Sequence, residues 1–425
     1  MTAHGLYHPA PLGSRARVPE PDMSAIHSFE CDAVAAADAR GAHPSRLTGA
    51  IVDYGWLAAR RSAWDALLEV AEYPTIALSS LSIDAHVAHG LAEGLRFVVV
   101  QNGERLLALL PLQPGRFALW ERAARTWTSP YTINATPLIA REQRRAVMEV
   151  MLDTLAAYRP GGLCHLPLVS FGPSMAHDLR AAAAMRGWPS VVFAQYGRAV
   201  FSRREHSAYL QEHLSRSERK NLRRRVNGLS RLGHVSFGHA THGPELAVAI
   251  ERFLELELSG WKGRRGTAMA SSPATAAFMR QLFAGPEGPV SARADWISLD
   301  GRPLAVSLSL GLGRTACMLK TAYDERYARF GPGVLLEHEL VRLCCEGSFA
   351  ETLDSNSIAG ELLDRVYPDR ETVGELLLAT SATATREDLQ RLVTRELLWR
   401  RGLKAAKQAY WRAIDLWSGT RKPIP

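Results

Sequence analysis

LKTAYDERYARFGPGVLLEHEL, residues Leu319–Leu340, sets an apolar strand against a helix with a glycine turn between them. The strand reads to Tyr323, and a polar loop carries the chain to Gly331-Pro332-Gly333. A helix is then expected from about Val334 to Glu346, with Gly347 as its C-cap. The first N–H groups of a helix lack intrahelical acceptors, and the helix dipole adds positive potential there. Glycine lets a ligand approach the backbone, so such a turn can hold a pyrophosphate. Arg326 and Arg329, just upstream, can pair with phosphate oxygens. The same residues also suit an ordinary loop-to-helix junction, and Pro332 removes one N–H donor.

Upstream lies a hairpin, ADWISLDGRPLAVSLSL (Ala294–Leu310), and it has an echo, LRFVVVQNGERLLALLPL (Leu95–Leu112). Each is a buried strand, an Asn-Gly or Asp-Gly pair, and a second buried strand. Both pairs suit type I′ turns with positive φ at the two central positions. The echo points to a duplicated α/β unit. Ser215 and Glu218 form a capping box for a helix ending near Gly233. Pro244 opens another helix, with Leu246, Ile250, Phe253 and Leu254 on one face, and Ser272-Pro273 opens a shorter one. A strand is expected over Phe349–Asp354. The expected organisation is a mobile tail over 1–45, a first half over 46–204, a second over 205–385, and a basic amphipathic helix over 386–425.

The chain has 425 residues, 47% of them hydrophobic, with a formal net charge of +8. That suffices for two domains and predicts attraction to anionic partners. No apolar run has the length of a membrane span, no secretory leader is visible, and the five cysteines form no CxxC pair. A cytoplasmic protein with reduced thiols is therefore expected. His338-Glu339 lacks the second histidine of a zinc helix, Arg342 standing in its place, so no metal is expected. P-loop, EF-hand and Gly-x-Ser-x-Gly patterns are absent.

The basic residues bunch in two places. Arg216, Arg219, Lys220, Arg223, Arg224 and Arg225 share a helix with Leu222, Val226 and Leu229. Such a face can be merely solvated, or can grip a CoA phosphate or an anionic acceptor. No aromatic interleaving or known motif supports nucleic acid as its partner. From Arg386 to Trp417, arginines and lysines alternate with leucines and with Trp399, Trp411 and Trp417. This helix can pack on the body or lie on an anionic membrane as a peripheral contact.

FLELELSGWKGRRGTA (Phe253–Ala268), LDGRPLAVSLSL, KTAYDERYARFGPGVLLEHEL and LDSN (Leu353–Asn356) together resemble the GNAT acyltransferases of the CelD/BcsL type, associated with cellulose and exopolysaccharide synthesis. They are more distantly similar to the FemAB-like aminoacyl transferases, which carry two GNAT folds in one chain. The match is strongest over about Ser215–Thr380 and weaker over about Ala50–Arg204. The sequence has Arg-Phe-Gly-Pro-Gly where the GNAT phosphate loop usually reads Arg/Gln-x-x-Gly-x-Gly/Ala. The resemblance implies a mixed α/β protein of tandem GNAT-like halves, each a mostly antiparallel mixed sheet flanked by helices. It implies transfer of an acetyl or other acyl group from acyl-CoA to an amine or hydroxyl of a small-molecule or glycan acceptor. Within it, Tyr323 would be the acid toward the thiolate, and Asp324 the base, with Asp354 in reserve. Lys320 would stabilise the developing oxyanion. Arg326, Arg329, Gly331, Gly333 and Val334 would hold the CoA. Trp261, Lys262, Arg219 and Arg223 would face the acceptor. Two alternatives stay open: a non-catalytic assembly protein of polysaccharide synthesis, and a transferase taking aminoacyl groups from tRNA.

Overall fold

The apolar runs on either side of the two glycine turns are strands buried on both faces, from Phe97 to Val100, Leu106 to Leu112 and Leu304 to Leu310. They belong to a computed structural model that describes residues 28–29, 47–158, 162–172, 175–284, 288–358 and 362–417. The tail expected over 1–45 lies outside these, apart from Ser28–Phe29.

The strands are β1 (Ser28–Phe29), β2 (Thr48–Val52), β3 (Arg96–Asn102), β4 (Arg105–Phe117), β5 (Glu121–Thr126), β6 (Leu138–Ile139), β7 (Leu163–Ser170) and β8 (Ser190–Ser202), then β9 (Val235–Ala240), β10 (Val290–Leu299), β11 (Arg302–Leu312), β12 (Thr315–Tyr323), β13 (Thr352–Ile358) and β14 (Asp369–Ala379). The helices are α1 (Tyr54–Ala58), α2 (Arg61–Val70), α3 (Ser80–Ala88), α4 (Arg144–Tyr158), α5 (Met175–Met185) and α6 (His206–His213), then α7 (Arg216–Ser230), α8 (Gly243–Ser259), α9 (Trp261–Arg264), α10 (Pro273–Leu282), α11 (Pro332–Cys345) and α12 (Arg386–Trp417). The capping box at Ser215 and Glu218 forms as expected, and Pro244 and Pro273 open their helices.

The duplication is visible in the topology. The path β2, β3, β4, β5, α4, β7 matches the path β9, β10, β11, β12, α11, β13, with a single parallel pairing in each, β5 to β7 and β12 to β13. The two hairpin turns differ. Asp300 and Gly301 both have positive φ, as a type I′ turn requires. In the first hairpin Asn102 pairs with Arg105, so the central residues are Gly103 and Glu104, and only Gly103 has positive φ. A register shift precedes each turn, between Val100 and Gln101 in the first hairpin and between Ile297 and Ser298 in the second.

The two halves form one sheet among the described residues, in the order β1-β2-β3-β4-β5-β7-β14-β8-β13-β12-β11-β10-β9, with β6 on β4. Its centre is an exchange. β8, the last strand of the first half, lies beside β13 of the second. β14, the last of the second, lies beside β7 of the first, and β8 and β14 pair with each other. A boundary at 204/205 therefore divides the sequence but not the sheet.

Arg198 sits at this exchange with 2% of its surface exposed. Its guanidinium donates to Glu371 on β14 at 2.5 Å and to the Ile133 carbonyl at 2.6 Å, and lies 3.0 Å from Asp354 on β13. One cation cannot neutralise two buried carboxylates. Burial pushes both acids upward, Glu371 to about 7, although Ser170 Oγ also donates to Glu371.

A second bond between the halves is aromatic. Phe278 of α10 is fully buried, stacks on Tyr131 at 4.9 Å and meets His86 at 4.5 Å. Both His86 ring nitrogens are engaged, with the Ser82 carbonyl and with Ser129, and burial pushes the ring down to about 4, so it is neutral. Helix α12 begins packed, with Leu389 and Val393 buried beside Phe193 and Leu377, and Arg400 bonded to Glu375. From Arg401 to Tyr410 every residue is exposed. The side chains of Trp411, Arg412 and Trp417 lie outside the described residues.

Replacing Arg198 with Met leaves two buried carboxylates without a cation and is expected to cost about 3–5 kcal/mol in urea unfolding. Adding Asp354→Asn and Glu371→Gln should recover most of it. Because the folded-state value of Glu371 is raised, its contribution to stability is full below the ordinary carboxylate range. It is lost as pH rises through about 7. Glu371→Gln should flatten that decline in melting temperature, measured from about pH 4.5, the ordinary value, up to about pH 7.

Candidate active site

In each half a parallel pair of strands starts together and then parts. β5 pairs with β7 only over Ala123–Arg125, and β12 with β13 only over Thr315–Cys317. The two wedges differ in what fills them. In the first half, Ala135 N–H donates to the Leu168 carbonyl at 2.9 Å and Ser170 N–H to Thr136 Oγ1 at 2.9 Å, so residues 135–136 stitch the gap. In the second, β12 carries a bulge. Met318 pairs with Ser309 and Lys320 with Leu308, leaving Leu319 without a partner across that ladder. A bulge frees backbone groups where a ladder would otherwise consume them.

The proposed site residues of β12 divide between the faces of the sheet. Thr321 donates to Glu337 of α11, and Tyr323 packs near Gly333, 39% exposed. Lys320 points the other way, 3.5 Å from Glu257 of α8 and 5.8 Å from the Tyr131 ring. Asp324 caps the short turn Glu325–Phe330, accepting from Arg326 N–H and from the Arg326 guanidinium. The hydrogen bond from Arg326 holds Asp324 below the ordinary carboxylate range, so it is a weak base committed to the turn. That engagement moves both residues away from the roles expected of them, a base and a phosphate ligand. Arg329 lies over the Phe330 ring at 4.6 Å. Asp354 is buried against Arg198, behind the wedge rather than beside Tyr323.

Gly331 has φ of 57°, the left-handed region, and ends the turn where α11 begins. Pro332 is at the head of α11, no side chain caps the helix, and its first turn holds no acid. Gly333 and Val334 are among the first residues, whose N–H groups have no acceptor within the helix. Against this positive end sits another cation. A Cβ at Gly331 would lie 2.2 Å from Arg225 Nη1. Arg225 reaches the turn because α7 docks there through Gly228, where a Cβ would meet the Phe330 ring at 2.7 Å. Among the described residues no carboxylate pairs with Arg225. Arg219 is half-buried on the same helix and Arg223 is exposed. Two surface clefts, of about 350 and 220 Å³, lie elsewhere, along Pro114–Ala123 and between β9, β10 and α11.

Residues 216–355 match the family model described as the acetyltransferase (GNAT) domain. This segment is similar to a GNAT domain. It runs from α7 to β13, so the glycine turn and the open wedge both fall inside the matched segment, and the stitched wedge falls outside it. The match supports an acyltransferase, with acyl-CoA as the co-substrate that the fold implies. Among solved structures, FemX is similar with a TM-score of 0.51 at 8% identity, over 78% of this chain and 98% of that one. That likeness is one of fold. The L-PGS of Bacillus licheniformis is similar at TM-score 0.47 and 14% identity, over 80% of this chain and 95% of that one. A tandem GNAT protein from the clavulanic acid biosynthesis pathway is similar at TM-score 0.39 and 14% identity, over 78% and 99%. No curated protein matches the chain. No helix among the described residues is long and apolar enough to cross a membrane, and no group of them could hold a metal ion.

The Trp-Lys-Gly run of the matched segment has a steric reason. At Gly263 a Cβ would lie 1.6 Å from the Leu258 carbonyl oxygen, because α9 folds back on the end of α8. This corner presents Lys262 to Glu257 at 2.8 Å, and Trp261 N–H to Glu325 at 2.7 Å. Four positions that matter here were not singled out in the sequence: Tyr131, Arg198, Glu257 and Phe278. Arg225 was visible only as one of six cations, although a glycine at mid-helix, Gly228, marked the docking face. Gly263→Ala is expected to cost about 1–3 kcal/mol, read as a lower urea midpoint. An unchanged midpoint would show that the corner relaxes freely.

Proposed function

We propose that the chain transfers an acyl group from acyl-CoA to an amine or hydroxyl of a sugar-like or polysaccharide-precursor acceptor. The observation that carries the acyl-CoA part is the pairing of two positive features with no acid between them: the α11 N-terminus and Arg225. A guanidinium packed on the positive end of a helix dipole is unfavourable unless an anion joins them. A pyrophosphate supplies that anion, with Gly333 and Val334 N–H groups on one side and Arg225 on the other. Arg326 and Arg329 stand nearby on the exposed turn.

In this reading the wedge between β12 and β13 takes the pantetheine arm. Backbone groups released at the Leu319 bulge donate to the thioester oxygen as negative charge develops there. The acceptor nitrogen or oxygen bonds to the acyl carbon as the carbon–sulfur bond breaks. Tyr323 gives its proton to the departing thiolate and regains one from the acceptor through solvent. Asp324 keeps the turn in shape. The stitched first half takes no second acyl-CoA; it supplies the loop that closes the site. The polysaccharide part of the reading rests on the resemblance of the Trp-Lys-Gly and Asp-Gly-Arg-Pro segments alone.

Acetyl-CoA and CoA are expected to raise the melting temperature of the protein. Arg225→Gln should raise the KM for acetyl-CoA roughly tenfold with little change in kcat. Tyr323→Phe should lower kcat by about 10² with the fold intact by circular dichroism. Silence toward CoA, acetyl-CoA and longer acyl-CoAs would return the chain to the non-catalytic or tRNA-linked alternatives.

A further inference from the structure

On the α8 side of the wedge, the seam between the halves holds more positive charge than carboxylate to answer it. Glu257, buried on α8, accepts from Lys262 Nζ at 2.8 Å and from Met269 N–H at 2.7 Å. Lys320 Nζ lies 3.5 Å from the same Glu257 oxygen that Lys262 uses. Two ammonium groups therefore share one oxygen. Burial opposes ionisation of Glu257, yet the charges of Lys320 and Lys262 hold it below its ordinary range. Burial and the like charge of Lys262 push Lys320 down, against the pull of Glu257. The next carboxylate, Glu325, is already taken by Trp261 N–H and Arg264. Three cations thus face two acids.

The same place has walls. The Tyr131 ring, from the first half, lies 5.8 Å from Lys320 Nζ, and the Trp261 ring lies 6.0 Å from Lys262 Nζ. Each lysine side chain keeps 21% of its surface open, so the pair is reachable from solvent. Tyr131 is fixed by its stack on Phe278, so its ring is a built wall of the seam.

We infer that this seam is the acceptor's anion subsite: Lys262 and Lys320 bind a carboxylate or phosphate of the acceptor, between Tyr131 and Trp261. This deepens the acyl-transfer reading and rests on it. An unanswered positive charge in a half-buried place is costly, and an incoming anion relieves it. Ammonium groups are point charges without a fork, so they accept the oxygens of either anion. Lys320 is on β12 next to the bulge, so an anion held there leaves the acceptor's amine or hydroxyl within reach of the wedge.

The test compares acceptors that differ only in the anion: glucosamine 6-phosphate against glucosamine, and alanine against alaninamide, each with acetyl-CoA. The wild-type kcat/KM is expected to favour the anionic member of one pair at least tenfold, and which pair does so tells phosphate from carboxylate. Lys262→Gln should reduce that preference to within twofold while the thermal shift with CoA persists. Should Lys262→Gln fail to fold, Lys320→Gln carries the same expectation. Equal rates within both pairs would overturn the assignment, as would a preference that survives both substitutions. Loss of the CoA shift in the wild type would instead remove the acyl-transfer reading. The anion site is then read by itself, as stabilisation of the wild type by glucosamine 6-phosphate that Lys262→Gln lacks; no such stabilisation overturns it.

Discussion

One guanidinium holds the middle of this protein together. Arg198 comes from the last strand of the first half, and its partners come from β13, β14 and the loop after β5. A hydrophobic side chain could fill the space, but it would leave Asp354, Glu371 and the Ile133 carbonyl without a donor. The buried charge therefore fixes which strands meet and in what register, a role better attested for buried polar groups than added stability. The site depends on this arrangement, because β13 is one side of the open wedge and the loop carrying Ile133 also carries Tyr131.

The halves share a path but have diverged in one decisive place. In the first, the parting of the parallel strands is closed by the protein's own backbone, at Ala135 and Thr136. In the second, pairing stops after Cys317 and a bulge follows. A duplicated unit needs only one working wedge, and the other is free to become a wall. Tyr131 belongs to that wall, which explains how a half without a cradle of its own still lines the seam.

Much of the fold was legible in the sequence, because it rests on local signals. The capping box at Ser215, the prolines at 244 and 273, the Asp300-Gly301 turn and the extent of Arg386–Trp417 all stand where the residues indicated. The strand expected over Phe349–Asp354 lies slightly later, at Thr352–Ile358. The site was less legible. Spacing along β12 could not reveal the bulge, so the sides taken by Lys320 and Tyr323 were open until the ladder was seen. Asp324 looked like a base because its use as a cap depends on Arg326 curling back two residues later. The exchange of β8 and β14 has no local signature at all, since pairing between distant strands leaves no mark on either one.

That exchange bears on how the protein is made. When β8 leaves the ribosome, both of its edges are bare, and Asp369, which will bond to Ser202, lies 167 positions further on. The first half must therefore wait, half-zipped, through the synthesis of the entire second half. Unpaired strand edges invite a neighbouring nascent chain to insert in place of the rightful strand. A dimer in which two molecules trade β14 would satisfy every ladder in the sheet, so crowded expression favours such misassembly and slow, dilute synthesis disfavours it.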